Sequence, residues 1–402
     1  MKYFMLVPDG CGDCPIPSLG GKTPLEMSDI KNINALAKSS EIGLVRTVPQ
    51  GFEPGSEANV TLLGYGPDAY LTGRAPLEAA AMGIDMSPDD VAFRVNLITV
   101  EGEGAYDNLI IKDHSAGEIG NEEAEDLIRY IDKELGSSNI SFYPGVSYRC
   151  LMASDVFGGE YKFTPPHDVL NQHAGEHLPK GDGADKITKL IYKSYQLLKD
   201  HPINMERVKK GLNPANSIWV WGYGKKPLLL PFKEKYGLGG SVITAVNLVK
   251  GYGMCAGLKV VDVPGATGVL NTNYDGKAQS AIKEFESGQD FVLVHVEAPD
   301  ECSHAGDLDG KIQALGLIDE KIFKPVYQYL ENTKEPYRIL VVTDHKTLLK
   351  TRTHDGEPVP YLLFESENIR PQQSENAFSE VAGTDGIFFE SGGALADHFF
   401  KG

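Results

Sequence analysis

Phe291-Val292-Leu293-Val294-His295-Val296-Glu297-Ala298-Pro299-Asp300-Glu301-Cys302-Ser303-His304 is the stretch on which the fold turns. A β-branched apolar run of strand length gives way, across Ala298-Pro299, to a helical Asp-x-x-x-His. Continuous apolarity predicts a strand buried on both faces of a parallel sheet. Tyr3–Pro8, Leu258–Val263 and Arg338–Thr343 read the same way. Between these runs the period changes. Lys311–Leu330 sets Ile312, Leu315, Ile318, Ile322, Val326 and Leu330 three or four residues apart, one apolar stripe of a helix. Tyr274–Phe285, Asn121–Leu135 and Ala184–Leu198 are similar. Strands alternating with helices predict an α/β protein built on a doubly wound sheet, which presents ligands at the carboxyl ends of its strands.

The middle of the chain differs. From about Thr72 to Gly211 polar loops are more frequent, and Pro165-Pro166 interrupts any regular element. The expected organisation is a core of residues 1–72 and 212–402, resuming toward Ser217-Ile218-Trp219-Val220-Trp221, with residues 73–211 inserted as a second α/β domain.

Composition narrows the function. The 402 residues carry 38 Lys+Arg against 56 Asp+Glu, a formal charge of −18. That balance argues against nucleic acid or an anionic membrane as partner. A hydrophobic fraction of 41% with 23% charged residues is ordinary for a folded globular chain. No apolar run reaches the length of a membrane span, and the first residues are too briefly apolar for a signal peptide. Five scattered Cys make a disulfide framework improbable. Cys11 and Cys14 form a C-x-x-C, but Pro15 and Pro17 break the helix a redox pair needs, and no second pair completes a zinc site. A cytoplasmic enzyme is expected.

Acids and histidines stand at the ends of the predicted strands: Asp9 after Phe4–Pro8, Asp300 and His304 after Phe291–Glu297, Asp344-His345 after Ile339–Thr343, and His354 before the strand-like Val359–Phe364. Asp300 and His304 share a helix face, while the adjacent Asp344-His345 pair suits two ions rather than one. Three Asp and three His at strand ends point to a dinuclear site with mixed oxygen and nitrogen donors. Ser56, in Pro54-Gly55-Ser56-Glu57, precedes an apolar run and is expected at a helix start, where free N–H groups favour an anion. Beside such a site it becomes the candidate nucleophile.

This set resembles the metal and nucleophile residues of the alkaline phosphatase superfamily, and within it the cofactor-independent phosphoglycerate mutases of the archaeal type. The resemblance extends over nearly the whole chain. It includes Leu63-Gly64-Tyr65, Tyr70-Leu71-Thr72-Gly73-Arg74, Lys112-Asp113-His114-Ser115-Ala116-Gly117, Gly145-Val146-Ser147-Tyr148-Arg149, Pro166-His167-Asp168 and Leu212-Asn213-Pro214-Ala215-Asn216-Ser217.

The resemblance implies an alkaline-phosphatase-like core with an inserted cap domain that binds substrate and closes over the metals. One divalent ion, Mn2+ foremost with Mg2+, Zn2+ or Co2+ as alternatives, would be held by Asp300, His304 and His354. A second would be held by Asp9, Asp344 and His345 together with Ser56. His114 and Arg149 match groups that hold the substrate phosphate and carboxylate, and Lys235 matches a lysine that neutralises charge near the nucleophile. Asp168 and Asp113 are candidates for the acid that handles the substrate hydroxyl proton. The chain has one residue fewer than its relatives between the nucleophile and Leu63-Gly64-Tyr65. The implied activity is interconversion of 3-phosphoglycerate and 2-phosphoglycerate through a phosphoserine, without 2,3-bisphosphoglycerate. A homoserine-kinase-type phosphotransferase or a phosphatase is the alternative on the same site. The oligomeric state stays open.

Overall fold

The structure is a computed structural model describing residues 1–66, 69, 73–87, 89–373 and 376–402. Tyr70, Leu71 and Thr72 of the Tyr70–Arg74 motif, and with them the expected domain boundary, lie outside the described residues. The chain divides into two compact units, Met1–Leu71 with Leu228–Gly402, and Thr72–Pro227.

The first unit is built on an eight-stranded sheet in the order Lys259–Val261, Gly240–Ile243, Phe291–Val296, Lys2–Pro8, Tyr337–Val342, Val359–Glu365, Glu41–Val45, Ile387–Phe389. Its centre is the predicted parallel set. Lys2–Pro8 pairs with Phe291–Val296, Val7 opposite His295, and on its other side with Tyr337–Val342, Leu6 opposite Val341. Phe4, Leu6, Val292, Val294, Ile339 and Val341 are all fully buried and pack into one cluster with residues of the helices Tyr274–Glu286, Leu308–Ile318 and Lys324–Thr333. This register brings the ends of three neighbouring strands side by side, which sets Asp9, His295 and Asp344 within reach of one another.

One strand runs against the parallel set, and one expectation needs correction. Val359–Glu365 runs antiparallel to both of its neighbours, so the sheet is mixed. The predicted buried strand Leu258–Val263 is shorter, Lys259–Val261, and only partly buried, because it forms an edge with a neighbour on one side. The stripe over Lys311–Leu330 is helical throughout, with a π turn at Asp319–Phe323. There the buried Asp319 carboxylate accepts the Ile33 N–H (2.7 Å) and the Asn32 N–H (3.1 Å), fixing the helix Lys31–Ala37.

The second unit is an antiparallel sheet around the long strand Val91–Glu101, flanked by Arg149–Ser154, with Ile140–Val146 beyond it, and by Ile110–Asp113 and Ser217–Lys225. The predicted helices Asn121–Leu135 and Ala184–Leu198 supply its apolar cover. The core was expected to resume at residue 212. Instead Ser217–Lys225 belongs to this sheet, Val220 opposite Val95 and Ser217 opposite Ile98. Its apolar Ile218, Trp219 and Val220 are fully buried in the second unit's own cluster.

One buried ion pair braces the loops at the carboxyl edge of the first unit. Lys311, fully buried, donates to Asp13 Oδ2 (2.9 Å), Thr347 O (2.8 Å) and Gly12 O (3.2 Å). Asp13 also accepts the Leu349 N–H, tying the loop after Asp9 to the hairpin after His345. Lys311→Met is therefore expected to cost about 3–5 kcal/mol, since it strands a buried carboxylate. The check is a urea midpoint, which should fall with an unchanged m-value.

Candidate active site

Each side chain in the cluster is delivered by a strand or by the turn or helix that follows one. Asp9 follows the first strand directly, and Gly10 then turns with φ +61°. A β-carbon at Gly10 would stand 2.5 Å from Thr347 Oγ1 and 2.7 Å from Asp300 Oδ1, so only glycine admits the close approach. Asp300 and His304 lie one turn apart on the helix Ala298–Ala305. Asp344-His345 opens the hairpin whose second strand, Thr353–Asp355, returns with His354 opposite Thr347.

Four imidazoles are turned the same way. His304 donates from Nδ1 to Arg352 O (3.0 Å), His354 from Nδ1 to Pro54 O (3.1 Å) and His345 from Nδ1 to Lys346 O (3.3 Å). His295 Nδ1 meets Thr244 Oγ1 at 3.2 Å. Every Nε2 consequently faces inward. Those of His304 and His354 lie 3.0 Å apart, at 3.2 and 3.5 Å from the two oxygens of Asp300. That of His345 lies 3.3 Å from Asp9 Oδ1 and 3.6 Å from Asp344 Oδ2. That of His295 lies 3.2 Å from Asp9 Oδ2. Oxygen partners at Nδ1 with Nε2 turned inward are the arrangement metal-ligating histidines adopt.

The residues fit divalent cations. Both carboxylate oxygens of Asp9, with Nε2 of His295 and of His345, are buried without a hydrogen-bond partner. They approach one another to 3.2 Å (His295 Nε2 to Asp9 Oδ2) and 3.3 Å (His345 Nε2 to Asp9 Oδ1) without forming a hydrogen bond. Three groups of donors emerge: Asp300, His304 and His354, half open to solvent, then Asp9, Asp300 and His345, and Asp9, His295 and Asp344, all buried.

Electrostatics agrees. Burial, reinforced by the charges of Asp344 and Asp300, pushes the Asp9 carboxyl well above the usual carboxylate range. Burial also opposes ionisation of Asp344 and Asp300, but the facing imidazoles outweigh it. His345 and His295 hold Asp344 low, and His304 and His354 hold Asp300 low. The Asp300 carboxylate in turn raises His304 to about 9 against the effect of burial. Without cations the cluster therefore retains protons.

Ser56 starts a short 3-10 turn, Ser56–Ala58, that runs into Asn59–Leu62. Two hydrogen bonds fasten this turn to the cluster. Asn59 Nδ2, which also braces the turn by donating to Ser56 O (3.0 Å), donates to Asp344 Oδ2 (2.7 Å), and Pro54 O accepts the His354 Nδ1–H. Lys235, on the helix Phe232–Tyr236, holds its ammonium over the rings of Tyr65 (5.7 Å) and Tyr236 (5.1 Å), outside the Asp/His cluster.

The remaining predicted residues belong to the second unit. His114 packs edge-to-face with Tyr148 (5.6 Å) and His167 (5.9 Å), and His167 does so with Trp221 (5.5 Å). The exposed Arg149 lies over Tyr148 and lines a cavity of about 360 Å3 with Ser147, Asn121 and Glu118. Asp168, half exposed, sits 3.7 Å from His167 Nε2. Asp113, by contrast, is fully engaged: its carboxylate accepts from Ser115 N, Ser115 Oγ, Gly117 N and Asn213 Nδ2. It shapes the loop bearing His114 instead of facing outward as a proton acceptor.

Sequence reasoning missed His295, Asn59, Thr244 and Thr347. The one available signal was a histidine breaking an otherwise apolar strand, which reads equally well as a packed core residue.

The family profile described as 2,3-bisphosphoglycerate-independent phosphoglycerate mutase matches residues 37–204. A 2,3-bisphosphoglycerate-independent phosphoglycerate mutase of Methanosarcina barkeri is 46% identical over 388 residues, 96% of each chain. One from Geobacter sulfurreducens, described as probable, is 44% identical over all of this chain and 98% of its own. The structure of a cofactor-independent phosphoglycerate mutase from Thermoplasma acidophilum superposes with a TM-score of 0.73 at 26% identity, covering 100% of this chain and 99% of the other. Among the described residues no helix is long and apolar enough to cross a membrane. The chain belongs to the archaeal-type 2,3-bisphosphoglycerate-independent phosphoglycerate mutase family.

Proposed function

We propose that the chain interconverts 3-phosphoglycerate and 2-phosphoglycerate by passing the phosphoryl group through Ser56 at a site holding two divalent cations. The observation that supports this most is the inward convergence of four imidazole Nε2 atoms and three aspartates beside the Ser56 turn. Bound cations would lower the pKa of the serine hydroxyl and neutralise the phosphoryl oxygens. Asp300, His304 and His354 would hold one, and Asp9, Asp344 and His345 the other.

Ser56 Oγ attacks phosphorus in line as the bond from phosphorus to the glycerate 3-oxygen breaks. The serine proton leaves, and the released 3-oxygen takes up a proton. Glycerate turns, its 2-oxygen attacks the phosphoserine with loss of its own proton, and Ser56 recovers its hydrogen. Asn59 keeps the nucleophile's turn in register with Asp344 throughout. We assign the second unit to holding the substrate, with His114 and Arg149 receiving its phosphate and carboxylate and Asp168 handling the hydroxyl proton, and we assign Lys235, of the first unit, to offsetting charge near Ser56. Water must be excluded while the phosphoserine exists.

The test follows 3-phosphoglycerate by phosphorus NMR with Mn2+ and no added bisphosphoglycerate. The expected result is 2-phosphoglycerate without free phosphate. Free phosphate as main product, or conversion only of homoserine with a nucleotide donor, would contradict the proposal.

A further inference from the structure

His295 is the one polar side chain in the strand Phe291–Val296, every residue of which is buried. A histidine in such a place is usually a packing residue whose two nitrogens are satisfied by hydrogen bonds. Here only one is. Thr244 Oγ1 meets Nδ1 at 3.2 Å and itself accepts the Val246 N–H, which fixes the hydroxyl. The backbone is held as well, because the fully buried Lys277 donates to His295 O at 2.8 Å. Ring and strand are thus clamped from outside the cluster, with Nε2 as the inward-facing atom.

What Nε2 faces is carboxylate on two sides, Asp9 Oδ2 at 3.2 Å and Asp344 Oδ2 at 3.9 Å. Neither makes a hydrogen bond with it. Separations of this size between an imidazole nitrogen and carboxylate oxygens are those of donors sharing one ion, for metal–donor bonds of about 2.0–2.2 Å. Asp9 offers a different oxygen to each imidazole, Oδ1 to His345 and Oδ2 to His295.

We propose that His295 Nε2 is a direct donor to the cation held by Asp9 and Asp344, making the inner site one of two carboxylates and two imidazoles. The proposal rests on the two-cation reading above and adds a donor that the family resemblance does not assign. Two consequences follow. The inner ion, fully enclosed and with one more donor, is released more slowly than the ion on the half-open Asp300, His304 and His354. The added imidazole also shifts the inner site's preference from Mg2+ toward Mn2+, Co2+ or Zn2+. Thr244 is the positioning residue that aims the ring.

Cobalt is the probe, since its visible absorption reports the donor set. The wild-type chain, His295→Gln and Thr244→Val are loaded with Co2+, and cobalt per chain, dissociation constants and spectra are recorded. Expected are two cobalt ions in the wild type, and in His295→Gln an unchanged outer ion with an inner ion bound at least tenfold more weakly and with an altered band. Thr244→Val, which retains the donor, is expected to weaken the inner ion about tenfold. A His295→Gln chain with wild-type affinities and spectrum overturns the proposal while leaving the two-cation reading intact. A wild-type chain that takes up no cobalt overturns both. Should His295→Gln fail to fold, Thr244→Val decides: unchanged inner affinity and spectrum overturn the proposal.

Discussion

Ser56→Ala is expected to lower kcat for mutase turnover by about 10^4-fold or more while the chain folds normally and still takes up its cations. The size follows from what the hydroxyl does. No other hydroxyl or thiol stands on the Pro54–Asn59 turn, so the variant removes the proposed phosphoserine route rather than weakening it. Stability should scarcely move, because the contacts that fix the turn come from the Asn59 side chain and the Pro54 and Ser56 carbonyls, not from the Ser56 hydroxyl. Steady-state kinetics and a thermal melt on the same preparation check both halves. Activity within tenfold of the wild type would mean that the phosphoryl group does not visit Ser56.

Stripping the cations is expected to lower the melting temperature by about 10 °C or more. An ion present at a thousandfold excess over its Kd contributes about 4 kcal/mol, and two such ions act on one unit. The loss should depend on pH with a definite sign. In the stripped protein Asp9, raised by burial and by neighbouring acids, and His304, raised to about 9 by Asp300, both bind protons more tightly than in the unfolded chain. Groups with raised folded pKa values give stability that is complete below their unfolded values and lost as pH rises through the folded ones. The stripped protein therefore weakens progressively between neutral pH and about pH 9, the raised value of His304. The loaded protein, whose ligands are held deprotonated by the ions, should not. Melting curves with and without chelator at pH 6 and pH 9 should show the gap widening with pH. An unchanged melting temperature on chelation would remove the physical support for the cation site.

The sheet's centre was legible because its strands are continuous apolar runs and its helices carry one stripe each. Local pattern reports such things directly. It does not report direction or partner. Val359–Glu365 looks like any other buried strand, and only its pairing makes it antiparallel. Ser217–Lys225 was assigned to the wrong unit for the same reason, since Val91–Ile98, the strand that completes it, is distant in sequence. At the site, Asp300 and His304 were readable from helical spacing, and Asp9 and Asp344 from their positions after strands. His295 was not, because burial hides a donor among residues chosen for packing. Its role depends on Thr244 and Asp9, which arrive from two other strands. The acidity of the chain likewise says little about the pocket, since three of its acids, Asp9, Asp300 and Asp344, face imidazoles there.

Acid-quenched turnover tests the central claim most directly. The wild-type chain with Mn2+ is mixed with 3-phosphoglycerate, quenched during turnover and digested, and its peptides are read by mass spectrometry. Phosphate on Ser56, present during turnover and absent before substrate is added, is the predicted result. Full formation of 2-phosphoglycerate with no phosphate at Ser56, or with phosphate on another residue, would contradict it.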